Sequence, residues 1–206
     1  MKMNIGIFGG TFDPIHLGHI AVAKYAKTDL NLDKVIFVPA GCPQLKPRLP
    51  AASAKHRFEM VKLAIGNKEM FYASDIEIKR KGPTFTVDTL KSIKKNYHSK
   101  SSLWFIVGSD AFSEFNKWEN YQEIMELSNV CVVRRPGEST ELEQFGHVKK
   151  LVTENNVVFI NRITPQISST NVKAIIKDTN KVKRYLNPEV HDYIVRNGLY
   201  RTDEDK

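Results

Sequence analysis

Short apolar runs recur along the chain at Ile5–Phe8, Val35–Val38, Leu103–Val107, Val130–Val133 and Val157–Ile160. None alternates strictly with polar residues, which is the pattern of strands buried on both faces. The stretch from Phe71 to Ile78 alternates more and reads as a further strand. Between the runs the spacing turns helical. Phe58, Val61 and Ile65 follow Ser53, a helix cap by residue type. Val87, Leu90, Ile93 and Tyr97 form a second stripe, and Phe112, Phe115, Trp118, Tyr121 and Met125 a third. Strand and helix in alternation predict an α/β fold, a Rossmann-like doubly wound parallel sheet. Such sheets bind ligands beyond the carboxyl ends of their strands.

From Ser168 onward the pattern is helical, with Pro188 opening a last helix that Gly198 ends. We therefore expect one domain over 1–206, its α/β core spanning about 1–165 and a helical C-terminal portion about 166–200. The polar segment from Gly137 to Asn156 reads as an excursion or long loop, and Arg201 to Lys206 as a frayed tail. There is no internal repeat.

Composition narrows the class. At 206 residues and 41% hydrophobic the chain can bury one substantial core. Its 11 Gly and 9 Pro are ordinary counts, which excludes collagen-like and low-complexity chains. With 31 Lys and Arg against 23 Asp and Glu the net charge is +8, which suits an anionic partner, nucleic acid or phosphorylated metabolite. Two cysteines, Cys42 and Cys131, make neither a disulfide framework nor a four-cysteine zinc site. Met1 to Gly10 lacks a signal-peptide core, and no apolar run approaches the ~20 residues of a membrane span. The expectation is a soluble, reduced, cytoplasmic protein without a membrane partner.

The most informative stretch directly follows the first apolar run: Gly9-Gly10-Thr11-Phe12-Asp13-Pro14-Ile15-His16-Leu17-Gly18-His19. Its paired glycines allow a tight turn and close ligand approach. Pro14 falls near a helix start, and His16 and His19, three apart, share one face of the first turn. Backbone N–H groups, the positive helix end and the imidazoles would converge, as a phosphate site requires. Taken singly, each part has a plainer reading. Gly-Gly turns before helices are common, and a His pair can bind zinc, although no third ligand is spaced nearby. The string is neither a P-loop nor a G-x-G-x-x-G fingerprint.

As a whole it resembles the signature of the nucleotidyltransferase superfamily with the H-x-G-H motif, and within it the bacterial nicotinate-mononucleotide adenylyltransferases. The resemblance runs nearly the whole length. It includes Gly82-Pro83-Thr84-Phe85-Thr86-Val87-Asp88-Thr89-Leu90, Ile106-Val107-Gly108-Ser109-Asp110, Lys117-Trp118, Arg134-Arg135-Pro136-Gly137, Ile167-Ser168-Ser169-Thr170 and the ending Asn197-Gly198-Leu199-Tyr200. The Gly-Pro-Thr-Phe-Thr string and the ending point to the NAD branch.

This resemblance implies transfer of the adenylyl group of ATP to nicotinate mononucleotide, giving nicotinate adenine dinucleotide and pyrophosphate. It implies Mg²⁺ carried mainly by ATP phosphates, with no dedicated protein metal site. By resemblance, the backbone of Phe8, Gly9, Gly10 and Thr11 lies under the nucleotides, and His16 and His19 contact the triphosphate. Gly108 and Asp110 would serve the adenosine, while Ile167, Ser169, Thr170 and Lys173 form the second ATP segment. Thr11, Lys46, Thr84, Thr86, Trp118 and Arg135 would bind the nicotinate nucleotide, and His16, His19, Lys46 and Lys173 would carry catalysis.

Plainer roles stand beside several of these. Asp110 fits a helix N-cap, Ser168 or Ser169 fits a cap, and Trp118 fits core packing. The chain also departs from the family pattern. Pro43-Gln44-Leu45-Lys46 keeps a lysine but has Gln44 where members often have His. Glu119 replaces an aromatic residue, and Lys173 stands where Arg is usual. A lysine there also resembles the pantetheine-phosphate adenylyltransferases, the alternative enzyme reading. A basic RNA-binding protein is the alternative from another class, although the basic residues are scattered without aromatic interleaving. The expected partners are ATP and nicotinate mononucleotide, without nucleic acid, and with homo-oligomers open.

Overall fold

A computed structural model describes residues 2–42, 49–134, 152, 157–162 and 165–201. Each of the five apolar runs forms a strand: β1 (Asn4–Gly10), β2 (Lys34–Pro39), β4 (Ser102–Gly108), β5 (Asn129–Val133) and β6 (Val157–Ile160). A shorter strand, β3 (Phe71–Ala73), completes a sheet of order β3-β2-β1-β4-β5-β6 in which every pairing is parallel. The chain winds outward from β1 to one side and from β4 to the other. Their junction is the switch point where open α/β sheets take ligands.

Helices α1 (Leu17–Asp29), α2 (Ala54–Ile65), α3 (Thr86–Lys94), α4 (Ser109–Phe112) and α5 (Tyr121–Leu127) lie within the α/β part. After β6 come α6 (Ser169–Ala174), α7 (Thr179–Val182) and α8 (Pro188–Arg196). Two apolar clusters flank the sheet. Val172, Ile176, Val182, Leu186, Val190 and Ile194 of the helical C-terminal portion join the cluster that contains Phe8, Phe37 and Met60. The other cluster takes Val87, Leu90 and Ile93 of α3. Among the described residues no helix is long and apolar enough to cross a membrane.

Local signals hold at several ends. Ser53 caps α2 by accepting from the His56 N–H, Pro188 occupies the first turn of α8, and Gly198 follows it with φ +59°. Other expectations need correction. The strand expected over 71–78 stops at Ala73: the Ser74 N–H still donates to Phe37 O of β2, and beyond it the Lys79 N–H closes a turn onto Asp75 O. The third helical stripe is broken. Its aromatic residues are shared among α4, a 3₁₀ turn at Phe115–Lys117 and α5, with Asn120 in a left-handed conformation between them. Those aromatics still meet, Phe112 on Phe115 at 5.3 Å and Phe115 on Tyr121 at 6.4 Å, so apolar spacing reported the packing and missed the breaks. The excursion expected over Gly137–Asn156 lies outside the described residues, apart from position 152, as does the tail beyond Arg201.

Candidate active site

β1 and β4 end side by side. Phe8 pairs with Ile106, which brings Gly10 and Gly108 to the same level of the sheet's carboxyl edge. The loops that follow them, 11–16 and the start of α4, flank the switch point. A Cβ on Gly108 would meet nothing within 4 Å, so this backbone borders open space. Asp110 is exposed in the first turn of α4, and the N-cap is Gly108, so Asp110 is not the cap.

The turn after β1 differs from the expectation. Gly9 and Gly10 belong to the strand, and the left-handed residue is Phe12, with φ +49°. Its ring is buried and packs edge-on against Phe8 at 5.5 Å. A Cβ on Gly10 would come within 2.8 Å of that ring, so the bare glycine is needed for the ring's approach. Burial of the aromatic ring offsets a backbone conformation that non-glycine residues rarely adopt. Pro14 follows a cis bond and precedes the helix by three positions, so it is not the helix opener.

His16 is the N-cap residue of α1 and His19 lies one turn on. Their rings stack at 3.7 Å and 27°, and Phe12 packs edge-on against His19 at 5.1 Å. The His16 backbone N–H donates to Nδ1 of His19 at 3.2 Å. An imidazole accepting at Nδ1 carries its proton at Nε2, so Nε2 is the donor of His19.

The second predicted phosphate segment is joined to this loop. Ser168 caps α6 by accepting from the Asn171 N–H, and the Ser169 hydroxyl donates to Pro14 O at 3.0 Å. That hydroxyl proton is committed, so Ser169 offers an anion its backbone N–H. Thr170 is exposed. Ile167 sits near Gly18, where a Cβ would lie 3.4 Å from its methyl. Lys173 Nζ lies 3.2 Å from Oδ2 of Asp13.

Residues to which the sequence assigned no role hold the loops together. Arg57 is 1% exposed. Its Nε donates to Ala52 O, Nη1 to Thr11 O, and Nη2 to Ala40 O and Gly41 O, at 3.2, 2.7, 2.6 and 3.3 Å. One planar fork thus gathers carbonyls from the ends of β1 and β2. Asp13, 5% exposed, accepts from the Ala51 and Ala52 N–H groups at 2.9 and 3.0 Å and from the Tyr200 hydroxyl at 2.8 Å. Burial pushes its carboxyl up, but these hydrogen bonds and the Lys173 charge together hold it below the usual carboxylate value. A signal for Arg57 was present: it stands three, four and seven positions before Met60, Val61 and Ala64 on the buried face of α2. A charge on an apolar face has to find partners.

On the far side, the Thr84 hydroxyl donates to Cys42 O at 3.3 Å, and Glu77 accepts from the Gly41 N–H and the Thr89 hydroxyl. A Cβ on Gly41 would collide with the Glu77 carbonyl, so this close approach requires glycine. These contacts fasten the start of α3, at Thr86, beside the loop after β2. Trp118 is half-buried, 5.3 Å from Phe115 and 5.7 Å from Phe105, which bears out its packing role. Lys46 and Arg135 lie outside the described residues.

The parallel sheet with the 11–16 loop and the Ser168–Thr170 turn joined at its carboxyl edge has the architecture of a nucleotidyltransferase, and residues 7–175 match the cytidylyltransferase-like family. A Thermoanaerobacter protein named "Probable nicotinate-nucleotide adenylyltransferase" is 38% identical, covering 99% of this chain and 97% of its own. A Desulfitobacterium hafniense protein of the same name is 41% identical over 96% of this chain and 95% of its own. The chain belongs to this family of nucleotidyltransferases, the nicotinate-nucleotide adenylyltransferases. The fold agrees with the nicotinic acid mononucleotide adenylyltransferase of Plasmodium falciparum complexed with NaAD, at TM-score 0.76 and 22% identity, covering 97% of this chain and 98% of that one.

Proposed function

We infer that the protein transfers the adenylyl group of ATP to nicotinate mononucleotide, releasing pyrophosphate and forming nicotinate adenine dinucleotide. The observation that carries this reading is the Ser169 hydroxyl donating to Pro14 O, which joins the two segments that the resemblance assigns to phosphate. Relatives of that name match over nearly the full length.

The chemistry asks for no general base. The attacking 5′-phosphate has a second pKa of about 6 and is largely ionised at neutral pH. Catalysis is positioning, together with neutralisation of charge that builds on the α-phosphate and the departing pyrophosphate. In this reading His19 donates from Nε2 to the reacting phosphate, and His16, Ser169, Thr170 and Lys173 serve the triphosphate. Asp110 holds the ribose, with Phe8 to Thr11 and Gly108 as the floor. Nicotinate mononucleotide lies toward Thr84, Thr86 and Trp118, and Lys46 and Arg135 are further candidates to bind it. The first-turn N–H groups of α3 suit the nicotinate carboxylate.

A Mg²⁺ ion on the ATP phosphates would add charge neutralisation. The donor set agrees with a phosphate-borne ion, since the side chains assigned to the triphosphate are imidazoles, hydroxyls and an ammonium, Asp13 is committed to protein partners, and Asp110 is assigned to the ribose. We also read the chain as one catalytic unit, because α6 to α8 share the core of the α/β part, and the cytoplasm is the setting we propose for it. Pyrophosphate release measured side by side with nicotinate mononucleotide, nicotinamide mononucleotide and phosphopantetheine tests the assignment. Nicotinate mononucleotide should be fastest, and faster turnover of phosphopantetheine would overturn it.

A further inference from the structure

The ending Asn197-Gly198-Leu199-Tyr200 does more than close the last helix. Gly198 and Tyr200 both have left-handed backbones, at φ +59° and +63°, and the Leu199 N–H returns to Ile194 O at 3.0 Å. This doubling-back seats the Tyr200 ring against the core. Its hydroxyl donates to Oδ1 of Asp13 at 2.8 Å, and its ring lies 5.8 Å from Lys173 Nζ. Asp13 in turn holds Lys173 through Oδ2 at 3.2 Å. Among the described residues that carboxylate also accepts from the Ala51 and Ala52 N–H groups, so the phenol hydroxyl is one of four described donors that set its orientation.

We propose that Tyr200 is a positioning residue for ATP: by fixing the Asp13 carboxylate and flanking the ammonium, it holds Lys173 beside the Ser168–Thr170 turn before the phosphates arrive. This rests on the reading that Lys173 meets the triphosphate. A long lysine side chain gives up rotamer freedom on binding, and a preset ammonium has already done so. Lys173 keeps 31% of its side chain exposed, so an incoming anion can share it with Asp13.

The test is a cycle of Tyr200→Phe, Lys173→Ala and the double variant, read as the dissociation constant of Mg·ATP. Lys173→Ala should weaken binding by roughly 10- to 150-fold, as loss of a charge-assisted contact does. Tyr200→Phe should weaken it by about three- to tenfold, the worth of one hydrogen bond, and add nothing once Lys173 is gone. Unchanged binding by a folded Tyr200→Phe, or an undiminished effect in the Lys173→Ala background, overturns the proposal. Normal binding by Lys173→Ala overturns the reading beneath it as well. Wild-type pyrophosphate release with nicotinate mononucleotide, run in parallel, tests the proposed reaction itself, apart from the role of Tyr200. Should Tyr200→Phe fail to fold, fluorotyrosine placed at position 200 of the wild-type chain gives a second readout. Its ¹⁹F signal should shift on Mg·ATP addition and stay still in Lys173→Ala; no shift with Lys173 present, or an equal shift without it, refutes the proposal.

Discussion

The His16 backbone N–H points at Nδ1 of His19, 3.2 Å away, so the main chain chooses which nitrogen of the second histidine can donate. In the proposed reaction that choice leaves Nε2 as the nitrogen that donates to phosphate.

His19→Ala should therefore lower kcat far more than it weakens ATP binding. Loss of one preorganised donor to developing charge costs about 10²- to 10³-fold. Steady-state kinetics with nicotinate mononucleotide check this, and an alanine variant as active as wild type removes His19 from the mechanism.

The acid substrate should be preferred over its amide. An amide NH₂ set against the first-turn donors of α3 finds no acceptor there, costing ~1–3 kcal/mol, or about 5- to 150-fold in kcat/KM. Comparable values for both mononucleotides would reject the placement of nicotinate at Thr86.

Arg57→Met should destabilise the fold by about 3 kcal/mol or more, because the carbonyls of Thr11, Ala40 and Ala52 lose their buried donor. Urea denaturation measures it. A midpoint unchanged from wild type would mean that water replaces the guanidinium at no cost.

Acid should remove one specific contribution. The Asp13 carboxyl sits below its usual value in the folded chain. Its stabilising effect is then complete above the unfolded value of about 3.9 and is lost as pH falls from there through the lower folded value. Asp13→Asn should be markedly less stable than wild type at pH 7, and the gap should narrow toward pH 3. A gap independent of pH would show that the charge of Asp13 contributes nothing.

The cysteines should behave unequally. Burial pushes the Cys131 thiol up to about 12, whereas Cys42 is exposed. Alkylation at pH 8 should modify Cys42 in the native protein and reach Cys131 only after unfolding. The double variant Cys42→Ser, Cys131→Ser should keep its activity if it folds; substantial inactivation of a folded variant would reopen a metal or redox role.

Much of this architecture was legible because its causes are local. Strands buried on both faces read as unbroken apolar runs, and Ser53, Pro188 and Gly198 announce helix ends by their own backbone chemistry. Asn120 gives no such notice, since a left-handed asparagine within an aromatic stripe leaves the apolar count unchanged. The site divides the same way. The histidines and the Ser168 cap lie within a turn of their partners. Asp13 finds Ala51, Lys173 and Tyr200 at 38, 160 and 187 positions away, separations that no local spacing encodes.

The tie between Asp13 and Tyr200 also has a consequence for how the molecule is made. Synthesis delivers Asp13 187 positions before Tyr200, and N-terminal segments fold first. A growing chain can lay down the central strands and α1 while the Asp13 carboxylate still lacks its phenol. The first loop acquires this hydrogen bond only once α8 has left the ribosome and the chain has doubled back. A chain truncated within α8 would lose that bond, so this contact is open only to a molecule translated past α8.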